Sequence, residues 1–111
     1  MRIPDTYEDL LPLLGDYYGA EDYLDHGIVD LVRRMGRSCI RLAQLYKTHA
    51  PNVIIQNEYE LALKYESAIK MKKNDFADFV FQCIDPTPKT NILKNIPSIC
   101  IMVVKKIEKE G

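Results

Sequence analysis

Between Leu24 and Tyr46 apolar residues return at steps of three and four: Leu24, Ile28, Leu31, Met35, Cys39, Leu42 and Tyr46. That is the period of one helix face sustained over several turns, and it predicts a long helix from Glu21 to Thr48. Gly27 and Gly36 fall inside it. Each costs about 1 kcal/mol relative to alanine, which marks Gly36 as the place for a kink or a close helix contact. Pro51 disfavours helical geometry at Ala50 and ends the run.

The same pattern predicts further helices on either side. Thr6 is a good N-cap, with Glu8 and Asp9 in the first turn that follows, so a helix from Thr6 to Tyr18 is expected to bury Leu10, Leu11, Leu13 and Leu14. Pro12 restricts it, and Gly15 and Gly19 break it. A third helix from Gln56 to Lys72 presents Leu61, Ala62, Tyr65, Ala68 and Ile69 on one side. A short fourth begins at the cap residue Asn74, with Phe76, Phe79, Val80 and Cys83 marking its buried side. "DPTPKT", Asp85 to Thr90, reads as a loop. The segment 98–109 carries "SICIMVV", whose β-branched content suits a strand. Ile96, Ile99, Val103 and Ile107 also fit a helix, and a lone strand would have no partner, so helix is the expectation. The expected fold is a single all-α domain over residues 1–111, a small bundle of four to five helices. Its core should contain Met35, Leu42, Tyr65, Phe76 and Phe79.

Composition narrows the class. The chain has 111 residues, 47% hydrophobic and 28% charged, the profile of an ordinary globular domain. Its longest apolar run, "ICIMVV", is too short to cross a bilayer. The N-terminal stretch has the wrong flanks for a signal peptide, so a cytoplasmic protein without a membrane partner is expected. Cys39, Cys83 and Cys100 sit among apolar neighbours with no C-x-x-C and no Cys/His cluster. They read as buried thiols rather than metal ligands.

Charge changes the picture more. The net charge is −1. Yet Met1 to Asp30 holds eight acids and one base, Leu31 to Ala50 holds five bases and no acid, and the remainder holds nine bases and eight acids. The basic segment contains "VRRMGRSCIRLAQLY", Val32 to Tyr46. Arg33, Arg37 and Arg41 follow i, i+4, i+8 and line one helix face, with Arg34 on its flank and Lys47 further along. Guanidinium forks match phosphate oxygens, and a spacing of about 6 Å lets such a row follow a nucleic-acid backbone. The plainer alternative is a solvated helix face whose acidic start and basic later half suit the helix dipole.

Enzymatic signals are weak. His26 and His49 are separated by most of a long helix. No G-x-S-x-G, H-E-x-x-H or glycine-rich phosphate loop occurs. Glu21 and Asp25 lie one turn apart, but acids at a helix start suit the dipole without a metal. His49 suits a helix C-terminus better than a catalytic base. Arg41 and His49 have seven residues between them, too many for the arginine–histidine pair of the HEPN nucleases. Tyr17, Tyr18 and Tyr23 cluster near the start of the long helix. Exposed, they would stack on bases or anchor a partner; burial within the bundle is the stronger expectation.

Two resemblances add to this. "NEYELALKYESAIKMKK", with Tyr59, Ala62, Tyr65 and Ala68, is similar to the second helix of tetratricopeptide or MIT hairpins, a pattern that mostly records tight helix packing. "SCIRLAQLY", with Ser38, Ile40, Arg41 and Tyr46, resembles the small helical subunits of type III CRISPR effector complexes. So does "NDFADFV", with Asp75, Phe76, Asp78, Phe79 and Val80, and so does "LALKY" between them. The resemblance covers fewer than half of the residues. It implies a non-catalytic subunit of an RNA-guided antiviral complex, packed along guide and target RNA with Arg41 and its neighbours on the backbone.

The leading expectation is thus a non-enzymatic helical interaction module, a subunit of a larger assembly or a homo-oligomer. It needs no cofactor and no metal. Its basic face of Arg33, Arg34, Arg37, Arg41 and Lys47 would meet a nucleic-acid backbone or an acidic protein. The opposing expectation is a small nuclease or other enzyme using His26 or His49.

Overall fold

The computed structural model describes residues 23–83 and 96–110. Among them the chain forms four helices and no strand: α1 Ile28–Lys47, α2 Asn52–Met71, α3 Lys73–Cys83 and α4 Ile96–Glu110. The protein is a small all-α bundle. The expected helix Thr6–Tyr18 and the Asp85–Thr90 loop lie outside the described residues.

The long helix starts later than its apolar period suggests. Gly27, extended at φ −68° and ψ 158°, is the N-cap of α1, and its carbonyl accepts the Leu31 amide at 3.0 Å. Residues Tyr23 to His26 instead make a tight turn, closed by the His26 amide on the Tyr23 carbonyl. A glycine that would weaken a helix interior thus stands at its edge, where an extended conformation is required. At the other end the His49 amide meets the Tyr46 carbonyl at 3.2 Å and the Ala50 amide meets the Leu45 carbonyl at 3.0 Å. This pair of bonds is the Schellman closure, which needs a left-handed residue, and His49 supplies it at φ 55°.

α2 begins directly after Pro51, earlier than Gln56, because the Pro51 carbonyl accepts the Ile54 and Ile55 amides. α3 follows α2 with only Lys72 between them. α4 settles the ambiguous segment as helix, and Pro97 sits in its first turn, where a missing amide costs nothing.

α1 is the central element and packs most extensively on α2 and α4, less on α3. Its inner face, Leu31, Val32, Met35, Cys39 and Leu42, is fully buried. It meets Tyr59, Ala62, Tyr65, Ala68 and Ile69 of α2, Phe76 and Val80 of α3, and Ile96, Cys100, Val103 and Val104 of α4 within the core. The tyrosine–alanine pattern of α2 is therefore packing. Four of the five expected core residues are inside; Phe79 is the exception. Phe76 and Val80, one turn apart, take the inward positions of α3, which leaves Phe79 half-buried on the shoulder of the core.

Gly36 does not kink α1, which runs through it unbroken. It is instead the point where α4 crosses. A Cβ built on Gly36 would overlap Val104 Cγ2 and lie 2.5 Å from the Cys100 carbonyl oxygen. The Cys100 backbone and the Val104 side chain together leave no room for a side chain at Gly36.

Candidate nucleic-acid interface

The outer face of α1 lies between the flanks packed on α2 and α4. Arg33, Arg34, Arg37, Arg41 and Lys47 are all exposed on it, because the buried positions Leu31, Met35, Ser38 and Leu42 fix the opposite side. The spacing read from the sequence is therefore realised. The structure adds a division within the row, since its members differ in what they hold.

Arg41 leans toward α2 and places a guanidinium nitrogen 2.9 Å from Glu58 Oε1. The other carboxylate oxygen of Glu58 accepts the Ser38 hydroxyl at 2.9 Å. Glu58 is only 7% exposed and Ser38 4%. A buried carboxylate must be matched by donors, and here two residues of α1 supply them.

Arg34 also faces α2. Its Nε donates to Asp30 Oδ2 at 2.7 Å, and a terminal nitrogen lies 3.5 Å from the Tyr65 hydroxyl. The Tyr65 oxygen and then the Asp30 carboxylate hold its pKa above the ordinary arginine value. Asp30 also accepts His26 Nδ1 at 2.8 Å on the same oxygen. The Arg34 hydrogen bond outweighs the opposing effect of burial and, with the His26 contact, holds the Asp30 carboxyl below the usual range. Tyr23 stacks edge-on to Tyr65 at 5.0 Å and tilts over His26 at 5.8 Å. Lys72 Nζ closes the group on the His26 carbonyl at 2.8 Å. Tyr23 is thus half-buried in a structural cluster rather than displayed. Tyr17 and Tyr18 lie outside the described residues, as do the acids that precede Tyr23.

The other flank differs. Arg37 Nε stands 3.5 Å from Glu108 Oε1 of α4, and both side chains are about half exposed. Arg33 makes no ion pair or hydrogen bond among the described residues. Lys105, one turn before Glu108, is exposed on the same side of α4.

The interior holds a second buried carboxylate. Glu66 of α2 is 2% exposed, with Lys70 Nζ 3.4 Å away. Burial, then the charges of Glu66 and Glu58, pushes the Cys39 thiol up to about 12. Burial and then the neighbouring Cys39 and Glu66 push Cys100 well above its ordinary value. Both are protonated, unreactive core thiols, free of disulfide. The side chain of Cys83 lies outside the described residues.

The two histidines remain at opposite ends of α1, about 30 Å of helix apart. His49 is exposed and serves the helix end through its backbone. Glu21 lies outside the described residues. Among those described, no group of three or more His, Cys, Asp and Glu could hold a metal ion, and no helix is long and apolar enough to cross a membrane.

No protein family, curated protein or solved structure matches the chain.

What sequence reasoning missed is the pairing. Glu58 and Glu108 carry no local signal of their partners, since each arginine bridge to α2 or α4 joins positions far apart in the chain. The one available sign was that residues 61–69, "LALKYESAI", are apolar on more than one face. A helix of that kind is buried on most sides, and the acid within it goes inside too.

Proposed function

We propose that the protein is a non-enzymatic helical interaction module, a subunit of a larger assembly, whose α1 outer face binds the phosphate backbone of a single-stranded nucleic acid. The observation that carries this reading is the exposed face between α2 and α4, which displays four arginines and Lys47. Arginine's fixed fork suits phosphate oxygens better than it suits the scattered carboxylates of an acidic protein surface. The resemblance to CRISPR effector subunits is a narrower form of the same reading. Its expected RNA contact through Arg41 fits poorly with an Arg41 already bound to Glu58.

The test is binding of a labelled oligouridylate across a range of salt, with polyglutamate as a control for an acidic protein partner. The expected result is an affinity that falls steeply with salt and is lost when Arg33, Arg37 and Arg41 are all changed to glutamine, with the helical fold retained and melting lowered only by the loss of Arg41 from Glu58. No binding at low salt overturns the reading. Equal binding of polyglutamate, with oligouridylate no better, favours an acidic protein instead.

One observation favours the enzymatic alternative: the 2.8 Å contact of His26 with Asp30, which resembles an oriented base. The same Asp30 oxygen is engaged by Arg34, and Tyr23 covers the ring. His26→Ala distinguishes the two readings, since an enzyme loses turnover while the binding module keeps its salt-dependent affinity.

A further inference from the structure

We infer that the phosphate-binding part of the α1 face is the seam with α4, formed by Arg33, Arg37 and Lys105, and that Arg34 and Arg41 are brackets to α2 that take no part in binding. This rests on the functional reading above and specifies its contact residues.

The division follows from what each arginine would leave behind on turning to a phosphate. Arg41 would leave Glu58, 7% exposed, with the Ser38 hydroxyl alone. An uncompensated buried carboxylate opposes that exchange strongly. Arg34 would give up a 2.7 Å hydrogen bond to Asp30 and its contact with Tyr65. The Asp30 carboxylate that remained beside it would repel the incoming phosphate. Arg37 has far less to lose. Its 3.5 Å contact with Glu108 is open to solvent at both ends, and exposed pairs of this kind are nearly balanced by water and salt. Arg33 has no partner among the described residues to give up. The two stand one turn apart on α1, on the side where α4 brings up Lys105. Glu108 sits among the three bases as a weak internal competitor. A phosphate displaces it into water without exposing any part of the core.

Paired variants read this directly, with oligouridylate as probe. Arg33→Gln with Arg37→Gln is expected to flatten the log–log salt slope by roughly 1.4, about 0.7 for each lost phosphate contact on a single strand. Its melting temperature should hold. Arg34→Gln with Arg41→Gln should leave the slope unchanged and lower the melting temperature. Should that pair fail to fold, Glu58→Gln is the second probe. It keeps an acceptor for Ser38 and releases Arg41, so the slope should steepen by roughly 0.7. A wild-type protein without salt-dependent binding overturns the functional reading and this inference with it. Binding in the wild type that the Arg34/Arg41 pair reduces as much as the Arg33/Arg37 pair, or a slope unmoved by Glu58→Gln, overturns the inference alone.

Discussion

The two flanks of α1 hold the bundle together in opposite ways. Toward α4 the contact is close and dry: Gly36 lets the Cys100 backbone and Val104 approach to the limit, and Val32, Cys39 and Val103 fill the space beside them. Toward α2 the contact is studded with polar groups, from the Ser38–Glu58–Arg41 bridge to Arg34 on Tyr65. A dry seam gains from area and dispersion, and here its closest approach is reached only where Gly36 faces Cys100 and Val104. A polar seam adds little net stability but penalises every register that leaves Glu58 without its donors. The α4 seam therefore supplies tightness at one crossing point, and the α2 seam adds a polar constraint on the register in which α1 presents its arginines.

The largest effect that would break this comparison is on the dry side. Gly36→Ala should destabilise by about 3 kcal/mol, the upper end of overpacking costs, because the Cys100 backbone as well as the Val104 side chain blocks the methyl. The gain of about 1 kcal/mol in helix propensity offsets only part of it. Chemical denaturation measures the loss, and a variant as stable as wild type would mean that α4 does not cross at Gly36. On the polar side, Glu58→Ala should cost about 1–3 kcal/mol by leaving the Ser38 hydroxyl buried without an acceptor. Amide exchange along α1 and α2 should rise more than along α4.

The flanks should also weaken at opposite ends of the pH scale. In the unfolded chain a cysteine ionises near pH 8.5, about its ordinary value. Folded Cys39 stays protonated until about 12. Stability contributed by the protonated thiol is thus complete below about pH 8.5 and declines as pH rises toward 12, by up to about 1.4 kcal/mol per unit. Cys39→Ala should flatten that alkaline slope in denaturant titrations. Asp30 runs the other way. Its folded pKa is lowered, so its contribution is present above the unfolded value of about 4 and is lost as pH falls through the folded one. Asp30→Asn should shrink the acid limb, by a modest amount because the group is half exposed. The smallest change is at the helix end. His49→Gly should stabilise by up to about 1 kcal/mol, since glycine takes the left-handed conformation without strain.

The sequence made one half of this arrangement legible and hid the other. The steps of three and four placed Leu31, Met35, Cys39 and Leu42 inside and the arginines outside, because burial in α1 follows a single strong stripe. Phe79 went to the wrong place because α3 is short: two inward positions a turn apart fill its contact, and neighbouring aromatic residues spill to the rim, with Phe81 64% exposed. The division of the arginine row could not be read at all. It depends on Glu58 and Glu108, which helix packing brings to α1 from distant parts of the chain, and on how deeply each acid is buried there.

In the proposed interface the α1–α4 seam meets phosphate while the α1–α2 seam does not. The most direct measurement is an NMR titration of the arginine Nε–Hε resonances with a short oligouridylate at low salt. Arg33 and Arg37 should shift progressively, and Arg34 and Arg41 should stay at their starting positions. Shifts at Arg34 and Arg41 equal to those at Arg33 and Arg37, or no shift at any of the four, would contradict it.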